Sequence, residues 1–346
     1  MTITILFGGS SYEHEVSIVS AITMKKVLKK STVRFIFVDA MRDFYLIEND
    51  RMKSSFFASG EYKKSKKLIL KKTGFFSKSI FGSKAVDTDV LLNLIHGRDG
   101  EDGKIAALLS FYSVLFISPR TEASVLSYNK LYTKSFARSV GVQTIPYEHL
   151  SREDERKIEM GYPVIVKPVR LGSSIGLSVV RSMAELDYAL DVAFEFDSDV
   201  IIEPFVEDVK EYNLAGAWTG KWELSMVEEP QKDGFLDFEK KYMDFSRDSQ
   251  IREASISNTL KQEIQESFKK IYNPLFHGSI VRCDFFEVEG EVYLNEINPV
   301  PGSMANYLFS DFEDMFVRLS SSLPSEENIV IDYQYINSIQ SAKGKA

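Results

Sequence analysis

Hydrophobic positions change period several times along the chain, and each change marks an element. Residues 2–7 (TITILF) form an unbroken apolar run that reads as a buried strand, ended by Gly8-Gly9 in a turn. The segment HEVSIVSAITMKKVLKK then places Val16, Val19, Ile22 and Val27 at helical spacing. Strand, glycine turn and helix together open an α/β unit. Strand-like RFIFVDA follows, then a basic, Phe-containing stretch to about Lys84 that reads as a solvated face, then VDTDVLLNLIHG, a parallel-sheet strand feeding a loop. Composition turns polar at SPRTEASVLSYNK, which places a boundary near Pro119. A charged helix at 151–160 and the strands PVIVKPV and VIIEPFV come next, with a second boundary near Ile201-Ile202. The rest holds AGAWTGKWEL, a loop over 229–250, the helix NTLKQEIQESFKKIYN and the alternating run VRCDFFEVEGEVYLNEINPVPG. Three regions are expected, 1–119, 120–201 and 202–346.

The last run carries Glu289-Gly290, two turn formers, at its middle, and so predicts a β-hairpin. Centred on Gly290, it sets Asp284 opposite Glu296 and Arg282 opposite Asn298, all on one face. Carboxylates facing each other at ~4 Å repel by about 4 kcal/mol at an effective dielectric near 20. A hard divalent cation held by oxygen ligands would offset that repulsion, with Arg282 beside it to meet a second anion. A solvated hairpin face is the competing reading, and a slip of one residue would separate the set.

Two further stretches carry chemistry. In VIVKPVRLGSSIG a strand delivers Lys167, and Gly172, Ser173, Ser174 and Gly176 follow in a loop whose small residues let backbone N–H groups approach phosphate oxygens. The lysine precedes the glycines, so this is neither a Walker loop nor a dinucleotide fingerprint. In VIIEPFVEDVKEYNLA, Glu203 ends an apolar strand and Glu211 begins the next. A linker strand of this kind can offer backbone groups to an adenine edge and a carboxylate to ribose hydroxyls, although by their spacing alone acids flanking a strand read as solvated.

Composition narrows the setting. The 346 residues carry a formal charge of −8, against general affinity for nucleic acid. One cysteine, Cys283, cannot form an intrachain disulfide and fits a reducing compartment as a buried thiol. The N-terminus lacks the basic segment of a signal peptide, and no run reaches the ~18 apolar residues that span a bilayer. A cytoplasmic protein with no membrane partner is expected.

The lysine strand with its Gly-Ser clamp, the linker strand with Glu211 and the D…NEIN hairpin together resemble the ATP-grasp superfamily. FGGSSYEHEVSIVSA (7–21), NLIHGRDGEDGK (93–104), KKY (240–242) and NPVPGS (298–303) narrow the likeness to D-alanine–D-alanine ligases, across nearly the whole chain and in the family's order. The resemblance implies a three-domain ATP-grasp fold, α/β and α+β, with a parallel N-terminal α/β domain and two α+β lobes that sandwich ATP. It implies that Lys130 and Lys167 hold ATP phosphates under the Gly172–Gly176 loop, Ser174 included. Glu203 and the Phe205-Val206 backbone would meet adenine, Glu211 the ribose and Lys241 the transferring phosphate. Asp284, Glu296 and Asn298 would bind two magnesium ions, with manganese an alternative. Glu13 would receive the ammonium of the first D-alanine in a hydrogen-bonded group with Ser173 and Tyr242, near His96. Arg282 and the N–H of Gly302 would stabilise a tetrahedral intermediate. Tyr307 and Leu308 fall at the second-substrate position, Tyr307 where a serine hydroxyl is common.

The implied reaction is ATP-dependent joining of two D-alanine molecules into D-alanyl-D-alanine through a D-alanyl phosphate, for peptidoglycan synthesis, by a homodimer whose 229–250 segment acts as a lid. Two alternatives stand beside it. A D-alanine–D-lactate ligase has the same fold, and Tyr242 argues against it because ester-forming relatives commonly carry phenylalanine there. A non-catalytic ATP-binding regulator is opposed by the joint presence of Lys167, Arg282, Asp284, Glu296 and Asn298.

Overall fold

The first apolar run lies inside a sheet and is covered on both faces. The structure, a computed structural model, describes residues 1–79, 82–230, 252–273, 275–325 and 329–342. In it β1 (Thr2–Gly8) pairs in parallel with β2 (Thr32–Val38) and with β7 (Val90–Asn93), and β7 pairs in parallel with β8 (Phe116–Ile117). This is the expected parallel α/β core. Beyond β2 the sheet continues as an antiparallel ribbon of β3 (Phe44–Ile47), β4 (Lys66–Lys71), β5 (Gly74–Ser79) and β6 (Gly82–Ala85), giving eight strands in the order β6-β5-β4-β3-β2-β1-β7-β8. The basic stretch is therefore sheet. It buries Leu68 and Phe75 and keeps Lys66, Lys67, Lys71, Lys78 and Lys84 in water, a composition that discourages further pairing at an edge.

The second sheet, ordered β11-β10-β12-β9, is antiparallel throughout, built from β9 (Glu148–Ser151), β10 (Val164–Pro168), β11 (Ser178–Val180) and β12 (Asp199–Pro204). Helix Met183–Phe194 packs Leu186, Ala189, Leu190 and Ala193 on it. The charged helix expected over 151–160 does not form. Carboxylates capture its backbone instead: Asp154 accepts from the Ser151 N–H, and Glu148 from those of Glu159 and Met160.

The third sheet, ordered β14-β13-β15-β16, contains β13 (Lys210–Trp218), β14 (Trp222–Leu224), β15 (Val281–Val288) and β16 (Glu291–Asn298). Helix Asn258–Tyr272, capped by the Ser257 hydroxyl on the Leu260 N–H, buries Ile264, Phe268 and Ile271 against it. Cys283 is buried in this core as a free thiol. Helix Phe312–Ser320 returns to the first sheet, where Phe312, Met315, Phe316 and Leu319 join the cluster around Ile3, Phe7 and Phe35. That return holds the 302–308 turn against helix His14–Val27. Among the described residues no helix is long and apolar enough to cross a membrane.

Candidate active site

The β15–β16 hairpin sets Asp284 opposite Glu296 and Arg282 opposite Asn298, as expected, but by a different route. Its turn is a two-residue one, Glu289-Gly290, with φ of 52° and 85°, and it pairs Val288 with Glu291. Continued without a break, that register would bring Asn295 opposite Asp284. A bulge at Asn295 adds one residue to β16 between the Phe285–Leu294 and Asp284–Glu296 pairs and returns Glu296 and Asn298 to the face of Arg282 and Asp284. The sequence carries the sign of it, since the buried positions Val292, Leu294 and Ile297 are spaced by two and then by three. On that face Arg282 forks onto Asp284, with Nε and Nη2 each 2.7 Å from a different carboxylate oxygen. The Asn298 amide donates to the same carboxylate at 3.0 Å. Burial disfavours the charged guanidinium, but the Asp284 carboxylate outweighs it and holds Arg282 firmly protonated.

Three lysines gather around Glu203. Lys130 and Lys134 lie one turn apart on helix Lys130–Ser139, whose first turn is capped by the Asn129 side chain. Lys130 donates to the carbonyl of Leu171, at the root of the Gly-Ser loop. Lys167, on β10, lies 2.6 Å from Glu203 Oε2, and Lys134 reaches Oε1 of the same carboxylate. Burial would raise the Glu203 pKa, but the two ammonium groups outweigh it and hold it at about 2. Lys134 is a site residue the sequence reading missed, although KLYTK places two lysines on one helical face. Just past the end of β12 the Phe205 N–H is already engaged by the Pro163 carbonyl at 3.0 Å.

The clamp loop meets the N-terminal loop directly. Ser173 and Ser174 both adopt left-handed backbone (φ 59°), and the Ser173 hydroxyl donates to Glu13 Oε1. A Cβ on Gly172 would sit 3.3 Å from that oxygen, and one on Gly97 2.3 Å from Oε2, so two glycines make room for the Glu13 carboxylate. Burial raises the Glu13 pKa, and an ionised Glu101 would add to the effect. His96 is buried, bonded to the Ser20 hydroxyl at 3.0 Å and to the Val300 backbone, and Ser20 also accepts the Ser303 N–H. Helix His14–Val27, the 93–104 loop and the 300–305 turn are thereby tied together at one imidazole. In that turn Ser303, Met304 and Ala305 are consecutive left-handed residues with no glycine, a strained shape that follows Gly302 and leads to Tyr307 and Leu308.

Glu101, 3.7 Å from His96, is the second residue that sequence reading missed; within GEDG it reads as a solvated loop acid, and only the packing of three segments buries it. Burial pushes its pKa up to about 8, and burial pulls His96 down to about 4. Their effects on stability have opposite signs. Glu101 stays protonated in the fold where the unfolded chain ionises, so its contribution is complete below pH 4.5 and is lost as pH rises to about 8. His96 resists the proton that the unfolded chain accepts, so its contribution grows from about pH 4 to 6.5. Between pH 6.5 and 8 only the Glu101 loss remains, worth about 2 kcal/mol. Urea unfolding at those two pH values should show the protein losing that much relative to Glu101→Gln. Parallel behaviour of the two proteins would contradict the assignment.

Lys241 and Tyr242, and nearly all of the 229–250 segment, lie outside the described residues. Glu211 stands near the start of β13 opposite Phe286. Among the described residues no three His, Cys, Asp or Glu side chains converge as a metal cage; the acidic pair on the hairpin has Asn298 and Arg282 as its neighbours.

Comparison with known proteins finds matches over nearly the whole chain. The family described as D-ala D-ala ligase N-terminus matches residues 2–119, and that described as D-ala D-ala ligase C-terminus matches residues 136–318. The D-alanine–D-alanine ligase of Sulfurovum sp. (strain NBC37-1) is 70% identical over 346 residues, covering 100% of both chains. That of Campylobacter concisus (strain 13826) is 58% identical over 345 residues, covering 99% of each. The crystal structure of D-alanine–D-alanine ligase from Helicobacter pylori superposes with a TM-score of 0.85 at 48% identity, covering 94% of this chain and 100% of that one. With both parts of the family matched in order and a relative aligned end to end, the chain belongs to the D-alanine–D-alanine ligase family.

Proposed function

We propose that this protein joins two D-alanine molecules into D-alanyl-D-alanine with conversion of ATP to ADP and phosphate. The observation that supports the reading is the Ser173–Glu13 hydrogen bond, which ties the Gly-Ser loop that we assign to phosphate to the carboxylate that we assign to a substrate ammonium. A carboxylate is a poor acyl donor because its leaving group would be oxide. The first D-alanine, its ammonium on Glu13, presents its carboxylate to the γ-phosphorus, giving a D-alanyl phosphate and ADP. Lys130, Lys167 and Lys241 hold the phosphates in line, and His96, neutral at working pH, shapes the subsite through Ser20 and Val300. The amine of the second D-alanine, deprotonated, attacks the carbonyl; Arg282 and the Gly302 N–H take the oxyanion charge, and its collapse expels phosphate. Tyr307 and Leu308 position the second substrate.

The oxygen donors Asp284, Glu296 and Asn298 suit magnesium or manganese, and the guanidinium on Asp284 marks that face as one that requires positive charge. Bound there, the ions would neutralise charge on the phosphoryl oxygens. We further propose a cytoplasmic homodimer supplying peptidoglycan synthesis. The test is ADP release from the purified protein with ATP, magnesium and D-alanine, beside L-alanine, D-lactate and a blank, with products identified by mass. Dipeptide formed only with D-alanine is expected. Dominant ester formation with D-lactate near neutrality would instead select the D-lactate reading, and ATP binding with no ADP formed would select the non-catalytic one.

A further inference from the structure

Lys134 has no part in the chemistry above, yet it is among the most deeply buried side chains of the protein, 2% exposed. Its ammonium holds Oε1 of Glu203, donates to the Ile145 carbonyl at 3.0 Å and lies 5.6 Å from the centre of the Tyr147 ring. Lys167 holds the other oxygen, Oε2, and its side chain is more open at 13% exposure. One carboxylate thus carries two ammonium groups of different character. Lys134 is locked by the Ile145 carbonyl, whereas Lys167 sits beside the clamp loop that ends in Gly176.

We propose that Lys134 is a positioning residue that stays on Glu203 as its fixed counter-charge, so that Lys167 can leave Oε2 for a nucleotide phosphate while a 6-amino purine takes its place. The inference rests on the reading that Glu203 meets adenine and Lys167 meets phosphate. Arrival of the base and release of the lysine are then one exchange of donors at a single oxygen. Adenine offers an N–H donor to Oε2; a 6-oxo purine offers an acceptor, leaves Oε2 without its incoming donor and so keeps Lys167 parked. Base selection is thereby felt at the phosphate end. Without Lys134, Lys167 would be the last ammonium on a buried carboxylate and would be retained there, because stripping it would leave the carboxylate charge uncompensated.

The experiment compares ATP with inosine triphosphate in D-alanine-dependent turnover by the full-length protein. Lys134→Met should raise KM for ATP by about tenfold to a hundredfold, the scale of a lost hydrogen bond to a charged group, and should narrow the preference for ATP over inosine triphosphate. Adding Glu203→Gln should restore much of the ATP affinity, since a neutral amide no longer captures Lys167. Equal losses for both nucleotides with the preference intact, and no recovery in the double variant, would mean that Lys134 only fills space, and the proposal falls. Should Lys134→Met not fold, the double variant, which leaves neither buried charge of that pair, carries the test: ATP binding within about tenfold of the unaltered protein supports the exchange, and its loss in a folded protein overturns it. Lys167→Met separates the two levels of inference. If it leaves KM for ATP unchanged, the placement of ATP is wrong and the exchange falls with it; if it raises KM while Lys134→Met preserves the nucleotide preference, only the exchange is wrong.

Discussion

Exchanging Arg282 for methionine should cost the protein both stability and turnover. The guanidinium is buried and contributes both of its fork nitrogens to Asp284, which is 2% exposed. Removing one partner of a buried, hydrogen-bonded pair destabilises by about 3–5 kcal/mol, because the remaining charge keeps its desolvation penalty and loses its compensation. The urea midpoint should fall accordingly. Turnover should drop by about 100-fold to 1,000-fold at saturating substrates, the usual consequence of deleting one donor to a developing oxyanion. Arg282→Lys separates the effects: it returns a charge near Asp284 and part of the stability, while a single ammonium cannot reproduce the planar fork, so kcat stays low. An unchanged midpoint with kcat within about tenfold of the starting protein would remove both roles.

The second large effect is expected at Glu13. Glutamine there keeps the volume that Gly97 and Gly172 leave open and can still accept from Ser173, but it carries no charge for an ammonium. The specificity constant for the first D-alanine should fall by about 100-fold, through KM first. A pH signature accompanies the loss. Burial raises the Glu13 pKa above the ordinary carboxylate value, and kcat/KM should climb with pH as that proton leaves. Glu13→Gln should lack that climb. A variant that keeps the limb would assign it to another group and leave Glu13 a packing role.

Much of this site could be read before any coordinates, and what could not has physical causes. Period-two alternation within each strand set Arg282 with Asp284 and Glu296 with Asn298, and apolar runs located the central strands, because burial imposes those periods on the sequence; the bulge that joins the two pairs on one face was not foreseen. The antiparallel strands β4 to β6 escaped notice since they bury few side chains and carry lysines among the rest. Glu101 and Lys134 escaped it for a different reason: each is charged and belongs to a polar-looking segment, and each becomes buried only when segments distant in sequence close over it. The left-handed run Ser303–Ala305 contains none of the residues that ordinarily announce such a backbone.

The bulge at Asn295 turns a structural detail into a rule of parity. Across a two-residue turn, residues that face each other in an unbroken antiparallel pair are separated by an odd number of positions, as Val288 and Glu291 are. Asp284 and Glu296 face each other at an even separation. No smooth hairpin closed by that turn could join them, so the even spacing itself requires one unpaired residue between the turn and the acids. A chain can therefore lengthen or shorten this hairpin by whole pairs and keep its acids together, whereas a change of one residue must be matched by a second before both side chains again point the same way.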